Sequence, residues 1–127
     1  MDGNAPKVNL EYRKDKMITA DQLKDVMERA EALHHYLNID QKQMELEEEQ
    51  LRTQAPDFWE DVERAQAQMK KVKSIEKWIV GYKDVKQKAD ELQLAFDFYK
   101  DELVTEEGVD ADYDKAMKAI ENLELMN

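Results

Sequence analysis

From Val62 to Leu103 the chain carries an apolar residue at every third or fourth position, with no proline in between. Val62, Ala65, Met69, Val72, Ile75, Ile79, Tyr82, Val85, Ala89, Leu92, Phe96, Tyr99 and Leu103 make up the series. Its mean step is about 3.4 residues, close to the 3.5 of a coiled-coil seam and far from the 2 of a strand. One helix over residues 60–104 keeps the whole series on a single stripe. At 1.5 Å per residue such a helix is about 65 Å long. A rod of that length outruns a small domain, so the rest of the chain must fold back along it. Gly81 interrupts the run. Glycine costs about 1 kcal/mol relative to alanine in a helix interior, enough to mark a bend but not to break the rod.

Shorter helices are predicted on either side. Thr19 and Gln22 have capping-box spacing, which starts a helix near Thr19. Leu23, Val26, Met27, Ala30, Leu33 and Leu37 then share one face, and Asn38 ends the segment. Asp40 is placed to cap a second helix over about 40–54, with Met44, Leu46 and Leu51 as its apolar face. Glu45, Glu47, Glu48 and Glu49 make its surface acidic. Gln54-Ala55-Pro56-Asp57 breaks it, because proline disfavours helix at the preceding residue. Glu106-Glu107-Gly108 reads as a turn before a last helix over about 111–125, with Tyr113, Met117, Ile120 and Leu123 inward. That helix runs into Leu125-Met126-Asn127 without a stop signal, so the chain reads as cut in mid-helix. Residues 1–16 show no apolar period and are expected to form a disordered N-terminal arm, with Met17 as an alternative start. Residues 17–127 are expected to form an all-α helical bundle with long, coiled-coil-like hairpin helices, a period that also permits self-association.

Composition excludes several function classes. The 127 residues suit one small domain. Charged residues make up 39%, so helical surface is abundant and core is scarce. A formal net charge of −11 disfavours nonspecific binding to DNA or to anionic membrane. There is no cysteine, hence no disulfide and no thiolate chemistry. No apolar run approaches the roughly 20 residues of a membrane span, and no secretory h-region is present, so a cytoplasmic location is expected. The hydroxyl nucleophiles outside tyrosine are Ser74, Thr19, Thr53 and Thr105, and neither histidine is spaced from them as in a triad. No two glycines lie close enough to cradle a phosphate. The expectation is a chain that is not an enzyme and carries no cofactor or metal.

Two patterns imitate metal sites. His34 and His35 are adjacent, and neighbours on a helix point about 100° apart. Asp110, Asp112, Asp114 and Glu121 match positions 1, 3, 5 and 12 of a calcium loop. Lys115, however, stands where the loop needs glycine, and Lys118 occupies position 9. A helix capped by Asp110 or Asp112 accounts for the acids more simply.

Charge is segregated along the chain. Residues 70–88 hold seven lysines against Glu76 and Asp84, a net of +5. Residues 90–114 hold ten acids against Lys100, a net of −9. Lys70, Lys73 and Lys77 are spaced to share one helix face. Such a face is either solvated and paired with neighbouring acids or a patch that meets phosphates or an acidic protein. Pro56-Asp57-Phe58-Trp59 places two large aromatics at a helix–helix turn. The favoured reading is a plug that seals the bundle end, and the alternative is an exposed docking site.

The order of these features resembles a known family. Ala32-Leu33-His34-His35-Tyr36-Leu37-Asn38-Ile39-Asp40-Gln41-Lys42 is similar to a family stretch of leucine, basic residue, tyrosine, leucine and aspartate leading to lysine. Pro56-Asp57-Phe58-Trp59, with Glu60-Asp61 and Glu63-Arg64-Ala65-Gln66 after it, resembles the N-terminal region of bacterial peptide chain release factors, factor 2 more than factor 1. The resemblance covers about residues 20–127. It implies a helical docking domain near the base of the ribosomal stalk, among protein and ribosomal RNA, in termination at UGA and UAA codons. It also implies what the chain lacks. The family reads codons with serine-proline-phenylalanine, whereas Ser74 is followed by Ile75. The family triggers hydrolysis with glycine-glycine-glutamine, and no adjacent glycines occur here. The rival expectation is a stand-alone helical coiled-coil adaptor that binds another protein.

Overall fold

The computed structural model describes residues 17–126. Among these residues four helices form an all-α bundle: α1 (Ala20–Tyr36), α2 (Ile39–Arg52), α3 (Val62–Lys100) and α4 (Glu106–Met126), with a 3₁₀ turn at Phe58–Glu60 ahead of α3. No strand occurs among the described residues. The expected arm over residues 1–16 lies outside them.

The spine is α3, whose 39 residues give a rod of about 58 Å. It starts at Asp61, whose carboxylate accepts from the Arg64 amide at 3.1 Å. Its apolar step is shorter than 3.6 residues, so the buried stripe turns around the helix as it advances. In the first half Val72, Ile75 and Ile79 pack on Leu46 of α2. In the second half Tyr82, Val85, Ala89, Leu92 and Phe96 join the core made with α1 and α4. The predicted end members fall off the stripe: Val62 is exposed at the first turn, and Leu103 lies beyond the helix and is exposed.

As expected, Gly81 does not break the helix, and α3 runs through it as one element. Glycine serves close packing there. A Cβ at this position would lie 2.8 Å from Cδ1 of Leu123, which is fully buried. The two helices therefore run antiparallel, with the end of α4 pressed on the middle of α3.

The capping box is formed at α1. The Thr19 hydroxyl accepts from the Gln22 amide at 3.1 Å, and the Gln22 side chain accepts from the Thr19 amide at 2.8 Å. The helix end is set by Asn38 in the left-handed region at φ 52°, which asparagine tolerates better than most residues. Lys42 donates to the Leu37 carbonyl at 2.5 Å, one of those the helix end leaves open. After this joint α2 continues along α3 in the same direction as α1. Asp40 is not its cap. Asn38 occupies that position without a side-chain bond, and Asp40 lies inside the first turn.

The apolar face of α2 also differs from the expected one. Met44 and Leu51 are exposed, and Ile39 and Leu46 are buried. Glu49, assigned to the acidic surface, is buried as well. The last helix begins at Glu106, five residues before its predicted start. The Thr105 hydroxyl accepts from the Gly108 amide at 3.0 Å, so the supposed turn Glu106-Glu107-Gly108 is the first turn of α4. Asp110 and Asp112 are therefore not caps. The Asp110 carboxylate instead accepts from the Ile18 amide at 3.0 Å, tying the entry of α1 to α4. Arg29 makes the second tie, donating to Glu124 at 2.7 Å.

Candidate functional site

The lysine face lies on the first half of α3. At about 100° per residue, Lys70, Lys73 and Lys77 point away from Val72, Ile75 and Ile79, the residues that meet α2. All three are exposed. None forms an ion pair among the described residues, although the Lys77 ammonium lies 5.4 Å from the centroid of the Trp78 ring. Their neighbours differ. Lys71 reaches Glu49 at 3.2 Å, Lys86 reaches Asp90 at 2.9 Å, and Lys88 reaches Asp84 at 3.0 Å. The hydrogen bonds that Lys86 donates to Asp90 and Lys88 to Asp84 raise the pKa of both ammonium groups, so both stay charged. Of the seven lysines three are thus paired, and Lys70, Lys73, Lys77 and Lys83 form no ion pair among the described residues, the first three of these sharing one face.

The second feature is the tip where α2 turns into α3. The favoured plug is not what forms there. Trp59 is 62% exposed, Pro56 and Asp57 are exposed, and Phe58 is half-buried. The two rings meet edge to face at 4.7 Å. The reason is coverage: only α2 accompanies α3 at this end, so no third helix closes over the turn. Leu51 and Val62 are exposed near it. A cleft of about 250 Å³ opens beneath, lined by Arg52, Asp57, Phe58, Asp61, Arg64 and Gln68 among others. Two arginines and two aspartates share this lining with one aromatic ring, a mixed-charge set that suits a polar peptide surface better than a single anion.

Glu49 was not legible as special in an acidic run, yet its side chain is 5% exposed. Gln68 donates to its carboxylate, and Arg52 and Lys71 approach at 3.1 and 3.2 Å. The Gln68 bond, with help from Lys71 and Arg52, holds its pKa below the ordinary glutamate value against the opposing effect of burial. The group joins α2 to α3 and fixes their register behind the tip. Gln68 and Lys71 carry the matching signal in the sequence, but it is visible only once the antiparallel pairing is known.

The His34 and His35 rings meet edge to face at 5.7 Å, and each turns to a different carboxylate. His34 Nε2 faces Asp40 at 3.3 Å across the α1–α2 joint, and its ring meets Tyr82 edge to face at 5.1 Å. His35 faces Glu31 at 3.2 Å. Asp110, Asp112, Asp114 and Glu121 all lie within α4, so the loop that would wrap an ion is a helix. No group of three or more metal-ligating side chains converges among the described residues. No helix among them is long and apolar enough to cross a membrane. Neither a protein-family model nor a curated protein matches this chain.

Proposed function

We propose that this chain acts as a helical docking module of a class I peptide chain release factor, adding ribosome contact in translation termination and no catalysis of its own. The observation that carries the reading is the pairing of two exposed features on one arm: the Pro56-Asp57-Phe58-Trp59 turn and the unpaired Lys70, Lys73 and Lys77. The motif resemblance supplies the ribosome, and the lysines supply groups suited to ribosomal RNA phosphates or an acidic ribosomal protein. A second reading, a stand-alone adaptor for another protein, is favoured by Trp59, since an exposed tryptophan packed on Phe58, which lines a mixed-charge cleft, is a common kind of protein anchor.

Co-sedimentation with ribosomes tests the first reading. The chain should pellet with ribosomes, and Lys70→Glu, Lys73→Glu and Lys77→Glu together should weaken that binding about tenfold or more and flatten its salt dependence. The chain alone should release no peptide from ribosomes stalled at a stop codon. Unchanged affinity of the triple variant at low salt, or stop-codon-dependent release, defeats the proposal. Loss of binding through Trp59→Ala alone, with the lysine variant unaffected, transfers support to the adaptor.

A further inference from the structure

A second three-and-four pattern runs along the exposed side of α3, its far end bordering a groove that Leu94 and Phe98 share with Gly108 and Ala111 of α4. Ten positions from Lys70 to Asp101 advance by alternating steps of three and four, and all ten are exposed. This is the spacing that lets one helix lie along another. The stripe is polarised. It begins with Lys70, Lys73 and Lys77 and ends with Glu91, Leu94, Phe98 and Asp101. Val80, Leu94 and Phe98 leave 63%, 52% and 40% of their surface in water.

We propose that this outer stripe pairs with the same stripe of a second copy of the chain, the two α3 helices lying antiparallel. Charge complementarity selects both occupant and direction. A parallel pair sets lysines on lysines and acids on acids. An antiparallel pair sets the lysine end of each copy on the Glu91–Asp101 end of the other, and twofold symmetry makes the match twice. With Lys70 of each copy set opposite Asp101 of the other, Lys77 lies over Leu94 and Val80 beside Glu91. Asp84, the acid nearest the lysine end, is already held by Lys88 at 3.0 Å. The −11 charge of each copy opposes the encounter. At physiological ionic strength that long-range repulsion is screened beyond about 8 Å, whereas charges in contact are screened less. Three apolar residues per copy give little buried area, so the pair is weak and its specificity is electrostatic.

The pairing goes beyond the ribosome reading and does not rest on it, because its test contains no ribosome. Sedimentation equilibrium of the chain at concentrations on the order of 100 µM and above should show a monomer–dimer equilibrium. Lys73→Glu with Lys77→Glu, and separately Glu91→Lys with Asp101→Lys, should each raise the dimer dissociation constant about tenfold or more. An equimolar mixture of these two variants should regain dimers, since reversed ends now match; variants that had merely failed to fold could not do so. A chain that remains monomeric up to about 1 mM, a dimer indifferent to either reversal, or a mixture that does not pair overturns the proposal.

Discussion

The two halves of α3 solve the same burial problem with different means. The second half is enclosed by α1 and α4, and all six of the largest fully buried side chains lie there: Leu92, Ile120, Leu123, Val26, Val85 and Val109. The first half has α2 alone for company. Its apolar cluster is Leu46, Val72, Ile75 and Ile79, four residues that keep between 3% and 9% of their surface. A pair of helices cannot close a core on all sides. Here the seam is completed by Glu49, a carboxylate held by Gln68, Arg52 and Lys71. A buried carboxylate with several donors specifies register more sharply than another leucine would, because a slip leaves every donor unmatched. Bulk burial thus anchors one end, and polar matching aligns the other.

The largest effect that sharpens this contrast comes from truncating one leucine in each half. Leu92→Ala should destabilise by about 3–5 kcal/mol and Leu46→Ala by about 2 kcal/mol, since a more open site relaxes more readily around the lost side chain. Urea unfolding followed by circular dichroism measures both; equal losses would show that the arm is as well enclosed as the other end. A subtler effect is the acid response of the arm. With its folded pKa depressed, ionised Glu49 contributes stability that is fully present above the ordinary value near 4.5 and is lost as pH falls through the lower folded value. Protection of the α2 amides, taken relative to the intrinsic exchange rate at each pH, should therefore fall in acid ahead of protection in α4, and Glu49→Gln should remove that difference. Equal acid sensitivity of the two helices in the unaltered chain would break the comparison. The smallest effect lies at the far end of α3. Glu102 sits in the left-handed region at φ 63°, where the Glu102 and Leu103 amides bond back to Tyr99 and Phe98 at 2.9 and 3.0 Å. Glu102→Gly should relieve about 1 kcal/mol of strain and raise the thermal midpoint.

Where the sequence was readable, one local signal decided the outcome. Thr19 and Gln22 are a complete start signal in four residues, and the stripe through α3 needs only its own spacing. Misreadings arose where a partner far along the chain decides. Glycine made residues 106–108 look like a turn, although Thr105 with two following glutamates is also a fair start signal and is the one that acts. Met44 and Leu51 fit an apolar face of α2, but α3 lies along Leu46 and Glu49 instead. The aromatics of Phe58-Trp59 could be judged a plug only by knowing that a third helix reaches the tip, and none does. The lysine triplet was legible as a face, whereas its lack of partners depended on which neighbouring lysines found acids.

The unbroken passage of α3 through Gly81 has a mechanical consequence. The helix crosses from the anchored end to the tip without a hinge, so it acts as a lever whose fulcrum is the three-helix end. The span from Gly81 back to Val62 is about 30 Å, and a tilt of about 10° about that fulcrum carries the tip some 5 Å. Among the described residues, the backbone joint on the opposite side of the arm is at Asn38, between α1 and α2. A load applied at Trp59 is thus delivered as torque to the core around Leu92, not absorbed where it lands.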